Sequence, residues 1–172
     1  MTLEYSRRIL CPSPDVTARL AAQLGARLRA GDVVLLSGPV GAGKSHFARA
    51  LIQSRLAALG RYEDVPSPTF TLIQSYDLGD AEIWHADLYR LTDPHEIIEL
   101  GLEQAFDTAI CLVEWPDRLD SSSPAQALHL SLQPGDGPDD RMLVFSGPAP
   151  CWAEMLAALN PEPDEAAHHV PD

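Results

Sequence analysis

The spacing of apolar residues differs along the chain, and each kind of spacing predicts an element. Residues 33–37 (VVLLS) and 109–114 (AICLVE) are continuously apolar, as is typical of parallel strands that are buried on both faces. Two further pairs of β-prone runs are each separated by a polar turn, which predicts antiparallel hairpins. They are 69–76 with 82–87 around DLGD, and 127–132 with 141–146 around QPGDGPDD.

Helical spacing is clearest in the first part of the chain. Ser13 and Pro14 suit the cap and first turn of a helix. We expect this helix to end at Gly31, because an apolar residue recurs every four positions before it, at Val16, Leu20, Leu24 and Leu28. A second helix is predicted over 44–59, directly after a glycine-rich stretch.

Two more helices are predicted in the second half of the chain. The longer lies within residues 91–106, with Asp93 as its cap, Pro94 at its first position and Glu96 completing a capping box. A short helix is expected near 151–159. Since strands and helices alternate, the predicted fold class is α/β, a mostly parallel central sheet with helices on both faces and added antiparallel hairpins.

The size and composition of the chain narrow the possible functions. The 172 residues suit a single domain, predicted over 1–159, followed by a loose acidic tail over 160–172. The net charge of -13 disfavours a broad nucleic-acid-binding face, which needs clustered Lys and Arg. Any nucleic acid is therefore expected to be met through a partner.

The cysteines and the apolar runs bear on location. Cys11, Cys111 and Cys151 are odd in number and widely spaced, which favours a reducing cytoplasm over a disulfide framework. No apolar run reaches the ~18 residues of a membrane span, and the first residues lack the apolar core of a secretory signal. We therefore expect a cytoplasmic protein with no membrane association.

One stretch carries a specific chemical pattern, SGPVGAGKSHFARALI at residues 37–52. It fits G-x-x-x-x-G-K-[ST], the phosphate-binding loop of P-loop NTPases, between a buried strand and a helix. Glycines let backbone N–H groups surround phosphate oxygens, and the helix N-terminus favours the anion. Lys44 would reach the outer phosphates and Ser45 would ligate Mg²⁺, with ATP as the expected nucleotide. The alternative is a glycine-rich turn with an exposed lysine.

Two acidic residues end apolar strands, where ligands of open α/β sheets bind. A P-loop site needs a carboxylate to hold Mg²⁺ and a group to orient the attacking water. Glu114, which ends AICLVE at the usual position of the Mg²⁺-site acid, and Asp87, which ends EIWHAD, are the two candidates. A single acid at a strand end is more often a capping or surface group. Two of them in a chain with a phosphate loop strengthen the functional interpretation.

Four segments together resemble the bacterial TsaE (YjeE) family: GPVGAGKS, SPTFTLIQSY, HADLYRL and ICLVEWPDRL. The resemblance covers roughly residues 13–146. It implies a P-loop ATPase of tRNA threonylcarbamoyladenosine biosynthesis that works with two partner proteins, TsaD and TsaB. TsaD transfers the threonylcarbamoyl group, and ATP turnover by the TsaE-like subunit resets the complex between rounds.

The resemblance also implies roles for individual residues. Asp87, Lys44 and Thr69 are the candidate catalytic residues, with Ser67, Thr69 and Thr71 in a nucleotide-sensing switch. Ser45 and Glu114 are the candidate metal ligands. The candidate nucleotide-binding residues are Gly38, Gly41, Ala42, Gly43, Lys44, Ser45, His46 and Arg141.

Several of these residues have plainer interpretations. His46 could be an ordinary helix residue, Thr69 and Thr71 could be strand residues, and Arg141 could be a surface charge. Trp115 could face a partner or belong to the core. Pro39 departs from the family, which commonly has Asp there, and proline has no N–H to donate to a phosphate.

Two other classes of P-loop protein remain as alternatives. A small-molecule phosphotransferase usually carries an arginine-rich lid, and the 12 Lys and Arg residues form no such segment. A GTPase would need a guanine-reading N-K-x-D, which does not occur. Adenine is therefore the expected base.

Overall fold

The computed structural model of the protein describes residues 3–93 and 95–162. Seven strands form one sheet in the order β1-β7-β6-β2-β5-β4-β3. The strands are β1 (Glu4–Cys11), β2 (Val33–Ser37), β3 (Ile73–Asp77), β4 (Glu82–Asp87), β5 (Ile110–Glu114), β6 (Leu128–Pro134) and β7 (Arg141–Pro148). The helices are α1 (Pro14–Gly25), α2 (Lys44–Ala57), α3 (His95–Leu100), α4 (Leu102–Thr108) and α5 (Ala149–Ala157), with a 3₁₀ helix at Pro116–Ser122.

The centre of the sheet is parallel and its margins are antiparallel. Strands β6, β2, β5 and β4 run parallel to one another. At the margins each strand is antiparallel to its inner neighbour: β7 to β6, β1 to β7 and β3 to β4. Both predicted hairpins, β3–β4 and β6–β7, are confirmed. The α/β class is confirmed as well, with the parallel pairings confined to the four central strands.

The central strands are buried on both faces, as their continuous apolar runs predicted. In β2, Val34 and Leu36 belong to the core beneath α1, α2 and α5. Val33 and Leu35 belong to the core of the opposite face, beneath α3 and α4. Successive side chains of a strand point to opposite faces, so this alternation confirms that helices cover both faces of the sheet.

The first helix ends earlier than its apolar spacing predicts. α1 begins as expected, with the Ser13 side chain accepting a hydrogen bond from the N–H of Val16 at 3.3 Å. It ends at Gly25 rather than Gly31, because Arg55 of α2 donates to the carbonyls of Gly25 and Leu28, at 2.9 Å each. A guanidinium from a neighbouring helix thus satisfies the carbonyls that a longer helix would have bonded.

The helix predicted within 91–106 is two helices. Gly101 has a φ of 75°, a left-handed conformation that separates α3 from α4. The side chain of Asp93 accepts a hydrogen bond from the N–H of His95 at 2.9 Å, as expected of a cap. The expected first-turn proline, Pro94, lies outside the described residues.

Two further differences concern strands. β1 was not predicted, and it forms an edge of the sheet by pairing with β7 from Glu4 to Cys11. The run predicted as strand from residue 69 begins only at Ile73, since residues 69–71 form a turn. Leu72 closes this turn with a φ of 68° and donates its N–H to the carbonyl of Pro68 at 2.8 Å.

The end of the described chain is fastened to α1. Gln23 and Asn160 exchange two hydrogen bonds, at 2.8 and 2.7 Å, and Arg19 donates to the carbonyl of Pro161 at 2.8 Å. Residues 163–172 of the predicted acidic tail lie outside the described residues. All three cysteines are free, and within residues 3–93 and 95–162 no helix has the length and apolarity to cross a membrane.

Candidate active site at the carboxyl ends of the central strands

Strand periodicity brings three ionisable side chains onto one face of the sheet. Asp87 and Glu114 end β4 and β5 and pair in register. His85 precedes Asp87 by two residues, so it shares the same face. The alternating residues Ile110 and Leu112 of β5 lie in the core beneath α1 and α2, which places Glu114 on that face too. All three side chains are buried, with exposed fractions of 1 to 6%.

Residues 38–45, the glycine loop, connect β2 to α2 beside these side chains. Gly38 has a φ of 145°, and a Cβ there would collide with the carbonyl oxygen of Leu132 in β6. Only glycine therefore fits at this position. Gly43 precedes α2 in a left-handed conformation without a side-chain cap, so the N-terminus of α2 faces the cavity with its backbone N–H groups.

Lys44 is buried at the start of α2. Its Nζ donates to the carbonyls of Gly38 and Pro39, the latter at 3.1 Å. The same Nζ lies 4.0 Å from the centroid of the Trp115 ring, a cation–π contact. Burial lowers the pKa of Lys44, and the nearby carboxylates of Glu114 and Asp87 partly oppose that shift.

A chain of hydrogen bonds joins α2 to two strands through Glu114. The hydroxyl of Ser45 donates to the carboxylate of Glu114, with Oγ 2.9 Å from Oε1 and 3.2 Å from Oε2. On the other side, Nε2 of His85 lies 2.7 Å from Oε2. Hydroxyl and carboxylate oxygens are the donors that Mg²⁺ takes, so Ser45 and Glu114 are the residues that could hold such an ion.

Asp87 is the second buried acid. Burial raises its pKa, as does the Glu114 carboxylate beside it, while the N–H of Tyr89, His85 and Lys44 act in the opposite direction. The N–H of Tyr89 donates to Oδ1 at 3.0 Å, leaving Oδ2 for a further partner. A carboxyl whose pKa is raised by burial is suited to accepting a proton.

These groups line one cavity of about 410 Å³. Thr69 reaches it from the turn before β3, where its Oγ1 lies 2.9 Å from the hydroxyl of Ser67. Trp115 covers one side in a left-handed conformation with a φ of 58°, and its ring lies 4.9 Å from that of Tyr89. The lining residues are Val40, Gly41, Gly43, Lys44, Ser45, His46, Thr69, Asp87, Tyr89, Glu114 and Trp115.

The remaining predicted site residues lie on or around the glycine loop. Arg141 supports the loop from behind, with its Nε 3.2 Å from the carbonyl oxygen of Ala42 and its Nη2 3.4 Å from that of Gly41. His46 lines the cavity, and its Nε2 lies 3.0 Å from the carbonyl oxygen of Pro14 in α1. The nucleotide contacts of these residues stay predictions.

Four residues of the site were not among the predicted site residues: Val40, His85, Tyr89 and Trp115. His85 contacts Glu114 on the neighbouring strand, and its signals in the sequence are its place at the start of HADLYRL and its spacing of two from Asp87 on a strand. Tyr89 lies on the loop after β4 and lines the cavity.

Among the described residues, no group of three or more His, Cys, Asp or Glu forms a metal-binding cluster.

The fold and the site define an α/β protein whose glycine loop and strand-end acids meet at one edge of the sheet. The family described as "Threonylcarbamoyl adenosine biosynthesis protein TsaE" matches residues 11–142. The chain belongs to the TsaE family, which confirms the assignment predicted from the four motifs. That family takes part in tRNA threonylcarbamoyladenosine biosynthesis, as the names of its members state.

Individual relatives agree with this assignment. A Rickettsia bellii protein named tRNA threonylcarbamoyladenosine biosynthesis protein TsaE is 37% identical over 131 residues, covering 76% of this chain and 88% of that protein. Its namesake from Bacillus subtilis is 34% identical over 135 residues, with coverages of 78% and 81%. For other relatives, the matched region spans less than two thirds of their own length: 62% of the Rickettsia felis protein and 58% of the Rickettsia conorii protein.

A solved structure shows the same fold. The crystal structure of Bacillus subtilis YdiB is similar to this protein with a TM-score of 0.70 and 27% identity. The similarity covers 92% of this chain and 95% of that one. The shared fold thus includes the strands and helices that carry the site.

Proposed function

We propose that this protein is the ATP-hydrolysing subunit of the tRNA threonylcarbamoyladenosine modification system. The observation that carries the proposal is the pairing of Ser45 with Glu114 at the N-terminus of α2, 2.9 Å apart, directly after a glycine loop of phosphate-binding type. Membership of the TsaE family, matched over residues 11–142, supplies the pathway. TsaD and TsaB are the proposed partners, and the cytoplasm is the proposed location.

Mg²⁺ would be held by Ser45 and Glu114. Adjacent ligands of an octahedral Mg²⁺ at 2.0–2.1 Å lie about 3 Å apart, and the Oγ–Oε1 distance is 2.9 Å. Mg²⁺ is usually bound by one or two protein oxygens together with substrate phosphates and water, which suits a site with two oxygen donors. The ion would neutralise charge on the phosphates.

The other residues have roles that follow from their positions. Lys44 would exchange its loop carbonyls for the outer phosphate oxygens, where its charge is needed. Asp87 would orient the attacking water through its free Oδ2 and accept its proton. Thr69, in the turn before β3, would bind near the outer phosphate. The conformation of that turn would then depend on whether the outer phosphate is bound. Nucleotide turnover would thereby change the surface that a partner protein meets.

The test is ATP hydrolysis and tRNA modification with and without TsaD and TsaB. We expect slow hydrolysis by the protein alone and faster hydrolysis in the complex. Repeated rounds of tRNA modification should require the protein and should fail with Lys44→Ala. Equal modification without the protein would exclude the proposed role, and phosphate transfer to a small acceptor would point to a phosphotransferase.

Three variants separate the proposed roles within the site. Glu114→Gln should weaken nucleotide binding in Mg²⁺ more than in EDTA, since it removes one negative ligand. Asp87→Asn should bind nucleotide normally and hydrolyse it at least about 100-fold more slowly, in line with the usual contribution of a general base. Ser45→Thr, which keeps the hydroxyl, is the matched control. Parental hydrolysis by Asp87→Asn would remove Asp87 from the mechanism.

A further inference from the structure

His85 occupies a position that packing alone does not explain. The imidazole is 1% exposed and the Glu114 carboxylate is 2% exposed, with Nε2 and Oε2 2.7 Å apart. A carboxylate oxygen accepts hydrogen bonds, so Nε2 carries the hydrogen and donates it. Nδ1 is buried and has no hydrogen-bond partner among the described residues. The bond to Glu114 is therefore the polar contact that the described structure gives this ring.

Hydrogen bonds from two side chains, Ser45 and His85, determine the orientation of the Glu114 carboxylate. His85 holds Oε2 from β4, and Ser45 holds Oε1 from α2. Without His85, the carboxylate could rotate about its terminal bond, and Oε2 would keep only its longer contact with the Ser45 hydroxyl, at 3.2 Å. Partners of this kind set the direction of ligand oxygens in metal sites, and their loss typically costs 10–100-fold in metal affinity.

We propose that His85 is a positioning residue, which directs Oε1 of Glu114 toward the Mg²⁺ of a bound nucleotide by holding Oε2. This inference rests on the proposed Mg²⁺–nucleotide site and goes beyond it by assigning a residue that contacts neither ion nor nucleotide. His85 lies on β4 and Glu114 on β5, whose parallel pairing places them side by side. The strand pairing thus fixes the geometry of the carboxylate.

Two amide substitutions test this inference, because they place a donor at different distances from the backbone. The terminal nitrogen of Gln corresponds to Nε2 of histidine, and that of Asn corresponds to Nδ1. His85→Gln therefore keeps a donor within reach of Glu114, whereas His85→Asn does not. His85→Leu, which has no donor, serves as a second loss variant if His85→Asn does not fold.

The measurement is the dissociation constant of ADP in Mg²⁺ and in EDTA, with the thermal unfolding midpoint of each variant recorded alongside. The ratio of the two constants gives the contribution of Mg²⁺ to binding. We expect His85→Asn to reduce this contribution at least about tenfold, and His85→Gln to keep it within about threefold of the parent. Affinity in EDTA should be unchanged in both. A structural role alone would lower both affinities together with stability.

Glu114→Gln separates the two possible failures. If Glu114→Gln reduces the Mg²⁺ contribution and His85→Asn and His85→Leu do not, the positioning role is wrong and the proposed metal site stands. An equal loss in His85→Gln and His85→Asn also overturns the role. If the parent shows no Mg²⁺-dependent ADP binding at all, the proposed function and this inference fail together.

Discussion

At the scale of single residues, the site is organised around Lys44, which is the chain's only lysine. Its ammonium is enclosed by two loop carbonyls and by the Trp115 ring. Burial lowers its pKa, so a larger fraction of this amine is neutral at a given pH than for an exposed lysine. These surroundings make the amine a distinctive chemical target.

The first prediction uses this single lysine. An amine-reactive reagent should add at most two labels, one on Lys44 and one on the N-terminal amine. ADP with Mg²⁺ at about ten times its dissociation constant should slow labelling of Lys44 about tenfold, since only free protein reacts. Mass spectrometry of the intact chain measures the rate, and Lys44→Arg is the control with one amine. Labelling of Lys44 that is unaffected by ADP would place the nucleotide elsewhere.

Asp87 supports a prediction about stability and pH. Burial raises its pKa in the folded protein above the unfolded value, so the stability that Asp87 contributes is present below the unfolded pKa and is lost as pH rises through the folded pKa. Asp87→Asn should therefore raise the unfolding midpoint at pH 7 relative to the parent, and the gain should shrink at pH 4.

A matched control for this effect is Asp80→Asn, since Asp80 lies exposed in the turn between β3 and β4. Thermal unfolding of the three proteins at both pH values is the measurement. We expect Asp80→Asn to leave the midpoint nearly unchanged. A lower midpoint for Asp87→Asn at pH 7 would show that the contacts of the carboxylate outweigh the cost of its burial.

At the scale of elements, two glycines of the glycine loop differ in their surroundings: Gly38, the first glycine of the motif, and Gly41, at one of its variable positions. A Cβ on Gly38 would collide with the Leu132 carbonyl oxygen, whereas no atom lies within 4 Å of a Cβ on Gly41. Both have positive φ, 145° and 82°. Gly41→Ala should cost about 1–2 kcal/mol for the backbone conformation alone, and Gly38→Ala should cost roughly 1–3 kcal/mol more for the collision.

Denaturant unfolding of these two variants and an ADP titration check the prediction. Gly38→Ala should also weaken nucleotide binding more, because relieving the collision displaces the loop from β6. Similar stability losses in the two variants would mean that the loop moves away from Leu132 without cost. The comparison isolates close packing from backbone conformation.

An element is predictable from the sequence when nearby residues determine it, and it is missed when contacts with distant residues determine it. β2 and β5 were predicted because both faces of each strand are buried, which makes their sequences continuously apolar. The glycine loop was predicted because its motif consists of consecutive residues. β1 escaped prediction because it is an edge strand with polar residues on its exposed face. The early end of α1 comes from Arg55, which lies 27 residues or more from the carbonyls it satisfies. Such long-range causes leave no local pattern.

The residues of the candidate site also fall into those with a local cause in the sequence and those that depend on long-range contacts. Lys44, Ser45, Asp87 and Glu114 were predicted because a motif or a strand end marks each of them. His85 begins HADLYRL, but it was not predicted as a site residue, since its partner Glu114 lies 29 residues away and only the pairing of β4 with β5 brings them together. Arg141 was predicted near the nucleotide, and its actual contacts with the glycine loop depend on the β6–β7 hairpin.

At the scale of the whole molecule, the distribution of cations limits what this protein binds by itself. The net charge is -13, with 12 Lys and Arg in all. Seven of these twelve donate to acceptors within the protein: Arg7, Arg19, Lys44, Arg49, Arg55, Arg61 and Arg141. The other five are exposed arginines: Arg8, Arg27, Arg29, Arg90 and Arg118.

We therefore expect the protein alone to bind tRNA more weakly than about 100 µM at physiological salt, the weak end of non-specific binding. Seven cations that are committed internally release no counterions from a phosphate backbone, and the acidic surface repels it. Fluorescence anisotropy with labelled tRNA is the measurement, with the proteins TsaD and TsaB added as the positive control. Micromolar binding by the protein alone, steeply weakened by salt, would contradict this expectation. In that case tRNA would contact this subunit directly, and the partners would not be needed to bring nucleotide turnover and tRNA together.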